Sequence, residues 1–140
     1  MKLHHVGIAV QDMERALAPF RMLGLQESER GTMDNLAISM VQAGESRLEF
    51  LQPLGQGPVQ RFLERRGAGI HHLAFATPDI EAALDRLKQQ GAELIDKRPH
   101  RGFGGHLVAF IHPRSFAGLL VELVEVKQEG GSAIESETET

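Results

Sequence analysis

Cysteine is absent from this chain of 140 residues. That excludes a disulfide framework, a thiol nucleophile and a thiolate metal site. Neither cations nor anions dominate: 15 Lys and Arg against 19 Asp and Glu give a formal −4. The stretch from Lys127 to Thr140 carries Glu129, Glu135, Glu137 and Glu139 against one lysine, so the body is left with 14 cations and 15 acids. A body so close to neutral offers no basic field to a nucleic acid. Long apolar runs are missing too. The start, MKLHHVGIAV, sets one lysine ahead of a short run containing two histidines, too brief and polar for a secretion signal. No later stretch approaches the roughly 20 apolar residues of a membrane span. The expected compartment is the cytoplasm, with neither a membrane nor a nucleic acid as partner. There is no GxSxG nucleophile motif. The glycines of RGFGGH lead into a predicted strand and not a helix, so neither nucleotide fingerprint applies.

What the chain does have is a repetition. LHHVGIAVQDMERAL at Leu3–Leu17 returns as IHHLAFATPDIEAAL at Ile70–Leu84, an offset of 67 residues that preserves a His-His pair, an Asp, a Glu and an Ala-Leu. RLEFLQP around Glu49 is echoed by LVELVEV around Glu122. Two copies of one folding unit are expected, each of roughly 60–70 residues and too small to bury a generous core alone. The predicted organisation is a first unit over 1–55, a connecting helix within 56–68, a second unit over 69–126 and a disordered acidic tail over 127–140.

Each copy reads as βαβββ, which makes the fold class α+β. Short apolar runs at Leu3–Val10 and Ile70–Thr77 predict strands. Asp12 and Asp79 stand where helix N-caps belong, and Gly24 and Gly91 where helices stop. Pro19 falls inside the first helical pattern and is expected to kink or shorten it. Further strands are predicted around Leu25–Glu29, Leu36–Ala43 and Arg47–Gln52, matched in the second copy by Glu93–Asp96, His106–His112 and Leu119–Val126. Pro58–Arg66 reads as the connecting helix, opened by proline and stopped by Gly67.

The period of a strand separates the two histidines of each pair. His5 shares its face with Gly7 and Ala9, and His72 with Ala74 and Ala76, so small neighbours leave room for an ion and a ligand. His4 and His71 share their faces with larger apolar residues and suit a hydrogen-bonded structural role. Glu49 and Glu122 sit in apolar runs, where an ionised carboxylate is costly unless something positive compensates it. A divalent cation held by His5, Glu49, His72 and Glu122 resolves that cost. Such mixed nitrogen and oxygen donors favour Zn, Mn, Co, Ni or Fe over Ca or Mg. The basic cluster Lys97, Arg98, His100 and Arg101, just before a glycine loop of Gly102, Gly104 and Gly105, either holds an anionic substrate or is a solvated charged face.

Paired βαβββ units carrying His, Glu, His and Glu resemble the vicinal oxygen chelate superfamily, and within it the methylmalonyl-CoA epimerase family. LHHVGIAVQDMERAL, LEFLQPLG, PVQRFLERRGAGIHHLAF and HPRSFAGLLVELVE match that family's stretches in order, from Leu3 to about Glu125. The chain departs from the family at Gly31–Asn35, and it carries Ile38 where some members place a base glutamate. The resemblance implies a glyoxalase-like fold with one divalent metal, Co, Mn, Ni or Zn, on His5, Glu49, His72 and Glu122. It further implies loss and return of the α-proton of a 2-substituted malonyl-CoA through an enolate. Glu49 and Glu122 are then the candidate acid-base pair. Lys97, Arg98 or Arg101 would meet the CoA phosphates, with Arg101 and Gly102–Gly105, Gly104 and Gly105 among them, closing over the thioester. A homodimer is implied as well. The competing readings are a glyoxalase I-type lactoylglutathione lyase and a metal-free drug-binding module of the same superfamily; an extradiol dioxygenase is disfavoured by the fourth ligand.

Overall fold

The computed structural model describes residues 1–127; the predicted acidic tail beyond Lys127 lies outside them. The chain divides into two compact units, one of Leu3–Ala74 and one that starts at Phe75 and takes in Met1–Lys2.

In the first unit, β1 (Lys2–Ala9) leads to α1 (Met13–Met22) and then to β2 (Gln26–Met33), β3 (Leu36–Ala43) and β4 (Ser46–Pro53). The Asp12 side chain accepts from the Arg15 N–H at 3.1 Å and caps α1. Met13, Ala16, Leu17 and Phe20 recur at helical spacing and pack with Val10, Val41 and Phe50 as this unit's core. β4 lies between β3, antiparallel to it, and β1, parallel to it. After α2 (Pro58–Arg66), β5 (Gly69–Thr77) joins the free side of β1, which gives the order β2-β3-β4-β1-β5.

Two local expectations change. α1 runs through Pro19 and reaches ten residues, the same length as α3 (Ile80–Gln89). Pro19 is exposed, and so is Arg15, whose carbonyl loses its bond, so water can satisfy that carbonyl. The strand predicted over Leu25–Glu29 continues to Met33 and turns back at Asp34 and Asn35. Both have positive φ, 50° and 61°. That is the two-residue hairpin turn that Asp and Asn tolerate best after glycine.

The second unit begins with the end of β5 and continues with α3, β6 (His100–Arg101), β7 (Leu107–Ile111) and β8 (Val121–Glu125). Asp79 caps α3 by accepting from the Ala82 N–H. Ile80, Ala83, Leu84 and Leu87 repeat the spacing seen in α1 and pack on Ala109, Ile111, Val121 and Leu123. No strand forms at the predicted Glu93–Asp96. The N–H groups of Ile95 and Asp96 both converge on the Phe110 carbonyl, and the Asp96 carboxylate takes the Phe110 N–H at 2.8 Å. These contacts replace a ladder with a side-chain clasp, leaving one bridge from Leu94 to Ile111.

Candidate metal centre

Strand alternation buries His5, Gly7 and Ala9 on one face of β1, and His72 and Ala74 on one face of β5. The register sets Gly7 opposite Glu49 and His5 opposite Arg47. Three donors of the first unit therefore converge. His5 Nε2 lies 3.1 Å from His72 Nε2, and Glu49 Oε1 lies 3.4 Å from each. All three side chains are buried, at 3 %, 4 % and 8 % exposure for His5, His72 and Glu49.

These spacings fit one ion. With bonds of about 2.1 Å, neighbouring donors stand about 3.4 Å apart in a tetrahedron and about 3.0 Å apart in an octahedron. The three atoms thus match one face of either polyhedron, with the borderline donor types that first-row divalent ions take.

Gly7 makes the arrangement possible. A Cβ at this position would fall 2.2 Å from His72 Cε1 and 2.4 Å from its Nδ1. The room that small residues were expected to leave beside His5 is occupied, at Gly7, by the His72 imidazole itself.

Burial alone pushes the Glu49 carboxyl up. Hydrogen bonds from His5 and His72, with their charge, outweigh burial and hold it well below the usual carboxylate range. Glu49 stays ionised, and its compensation comes from the same two rings that would share an ion with it.

The other member of each histidine pair stands behind the first. His4 Nδ1 is 2.8 Å from His5 Nδ1, and an Arg47 N–H donates to His4 Nε2 at 3.0 Å. His71 Nδ1 is 2.9 Å from His72 Nδ1, and Phe62 packs edge-on against His71 with centroids 5.0 Å apart. This agrees with the structural role expected of His4 and His71. Sequence reasoning missed Arg47, Phe62 and the specific task of Gly7. The doubled His-His motif was the available signal, since a ligating histidine needs a partner for its other nitrogen.

Of the four expected ligands the first unit holds three. Glu122 belongs to the second unit, where it is buried at 7 % exposure in β8, opposite Phe110. Lys97 and Arg98 are exposed in the second unit. Arg101 donates to the Gly105 carbonyl at 2.8 Å and so ties the glycine loop, in which Gly104 and Gly105 take positive φ of 84° and 87°. Ile38 is buried between Gly31 and Leu51, and an apolar side chain there carries no proton.

Residues 4–110 match the model of the Glyoxalase/Bleomycin resistance protein/Dioxygenase superfamily. The ethylmalonyl-CoA/methylmalonyl-CoA epimerase of Cereibacter sphaeroides is 40 % identical over 135 residues, covering 89 % of this chain and 98 % of that protein. A crystal structure of methylmalonyl-CoA epimerase from Mycobacterium tuberculosis superposes with a TM-score of 0.85 at 30 % identity, over 94 % of this chain and 92 % of the other. A methylmalonyl-CoA epimerase solved in complex with methylmalonyl-CoA and ammonium superposes with a TM-score of 0.84 at 28 % identity, over 89 % and 93 %. The chain belongs to this superfamily, and within it to the methylmalonyl-CoA epimerase family. Among the described residues, no helix is long and apolar enough to cross a membrane.

Proposed function

We propose that this protein is an isomerase that epimerises methylmalonyl-CoA or a close 2-substituted malonyl-CoA, by removing and returning the α-proton. The observation that carries the reading is the convergence of His5, Glu49 and His72 at 3.1–3.4 Å in a buried cluster. The epimerase relatives supply the substrate class. A divalent ion, Co, Mn, Ni or Zn, supplies Lewis acidity there, stabilising negative charge that develops on thioester and carboxylate oxygens as the proton leaves.

His5, Glu49 and His72 hold that ion, and Glu122 is proposed as the fourth ligand because it repeats Glu49 in the second copy. Burial excludes bulk water from these side chains. Glu49 and Glu122 are proposed as the pair that accepts the proton on one face and delivers it on the other. Lys97, Arg98 and Arg101, with Gly104 and Gly105, are proposed to meet the CoA portion. Exposed cations suit its phosphates. A cytoplasmic homodimer belongs to the same reading.

The test is to incubate the metal-loaded protein with one epimer of methylmalonyl-CoA in deuterated water and follow inversion and isotope uptake together. Inversion with one deuterium at the α-carbon is expected, and a glutathione hemithioacetal should not turn over. Turnover of the hemithioacetal without epimerisation would overturn the reading. Glu122→Gln that still holds metal should lose inversion; full α-proton exchange in that variant would remove Glu122 as a base.

A further inference from the structure

We infer that Ile38, with Leu51 and Met40 beside it, is the surface that receives the 2-substituent of the substrate and sets its size. The inference deepens the epimerase reading and rests on it. The α-carbon of a 2-substituted malonyl-CoA carries a hydrogen, a carboxylate, a thioester carbonyl and an alkyl group, and the alkyl group alone has nothing to offer an ion.

Leu48 and Phe50 of β4 pack with α1, as do Ala37 and Val41 of β3, so strand alternation puts Glu49 and Leu51, with Ile38 and Met40, on the opposite face. Register orders that face in rows. Gly7, Glu49 and Met40 stand level across β1, β4 and β3, and the next row is Ala9, Leu51, Ile38 and Gly31 across β1, β4, β3 and β2. That second row is wholly apolar. It lies two residues along each strand from the first, about 7 Å, and the side chains of Ile38 and Leu51, as direct cross-strand partners, start about 5 Å apart. Gly31 ends the row without adding a side chain.

The first row carries the carboxylate of the metal cluster, and the second carries nothing that can ligate or titrate. A substrate whose polar oxygens go to an ion at His5, Glu49 and His72 must still place its alkyl group. Turned toward the donors, that group would displace polar contacts; turned toward the apolar row, it leaves water at a gain. Ile38 and Leu51 are each 4 % exposed and Met40 7 %, which makes the patch as sheltered as the cluster beside it. Its parts differ in stiffness. Met40 is unbranched and can adapt, whereas the branched Ile38 is held near one χ1 and so forms the fixed wall that measures the substituent.

The experiment uses the full metal-loaded chain and measures α-proton exchange in deuterated water with methylmalonyl-CoA and with ethylmalonyl-CoA, for wild type, Ile38→Val and Ile38→Phe. Ile38→Val opens the space of one carbon and should raise the ethyl-to-methyl ratio of kcat/KM about tenfold, the lower end of what one methylene is worth in an apolar pocket. Ile38→Phe overfills the row and should lower the same ratio. A packing defect with no bearing on the substituent would depress both thioesters alike and leave the ratio still. Co2+ affinity should hold in Ile38→Val, because position 38 offers no donor. With the wild type active, an unchanged ratio in Ile38→Val, or one that moves only together with a loss of Co2+ affinity, makes Ile38 ordinary core and overturns the inference while the epimerase reading stands. A wild type that exchanges neither thioester overturns the epimerase reading, and the inference falls with it.

Discussion

At the scale of single residues, Gly7 and Glu49 are the two positions on which the cluster is most exposed to change. Gly7→Ala puts a methyl group into the His72 imidazole, and the ring, not the strand backbone, must give way. The expected result is a loss of metal affinity of at least about tenfold with a stability cost of about 1–3 kcal/mol, the ordinary range for overpacking. Isothermal titration with Zn2+ and denaturant unfolding measure the two separately. Glu49 has its folded pKa lowered by His5 and His72 despite burial. A carboxyl of that kind adds stability above its unfolded value, about 4.3, and loses it as pH falls from there toward the lower folded value. The stability difference between metal-free wild type and Glu49→Gln should therefore shrink as pH drops below about 4, as urea midpoints across that range would show. A difference independent of pH would mean that the two imidazoles do not compensate the carboxylate.

At the scale of elements, the repeat extends to how each helix is started. The Gln52 side chain accepts from the Met13 N–H at 2.8 Å, and the Glu125 carboxylate accepts from the Ile80 N–H at 3.1 Å. Each residue lies three positions after the buried acid of its copy, so the strand that carries the acid also anchors the helix. Gln52→Ala should cost about 1 kcal/mol, as lost helix caps do, without moving the metal affinity. Pro19→Ala should raise stability, because the helix already has the right course and recovers a hydrogen bond at an exposed site.

The same elements show what could be read in advance. Both capped helices, the connecting helix over Pro58–Arg66 and the strand over Leu36–Ala43 were legible because capping, proline and period-two patterns are local. The Glu93–Asp96 segment was not, since its backbone bonds go to the distant Phe110 carbonyl, His112 N–H and Ser115 hydroxyl, partners that no local pattern marks. The two-residue turn at Asp34 and Asn35 left a trace in the dipeptide, but no glycine marked it.

At the scale of the whole molecule, duplication is what made the site visible. A lone histidine in a strand is ordinary; the same His-His pair recurring after 67 residues, each copy ending in an acid within an apolar run, is not. Periodicity chose His5 and His72 over His4 and His71, and the structure sets those two beside Glu49. What periodicity could not show was contact across strands: that the His72 ring lies over Gly7, or that Arg47 reaches His4. Those depend on the pairing of β4 and β5 with β1, which no local pattern encodes.

Whether His5, Glu49 and His72 share one divalent ion is decided by titrating the metal-stripped protein with Co2+ and following its visible absorption. One equivalent should bind per chain, and His5→Ala, Glu49→Ala and His72→Ala, each shown to be folded, should each weaken binding at least tenfold. A wild type that takes up no cobalt, or folded variants that bind it as well as the wild type, would rule out an ion shared by these three side chains.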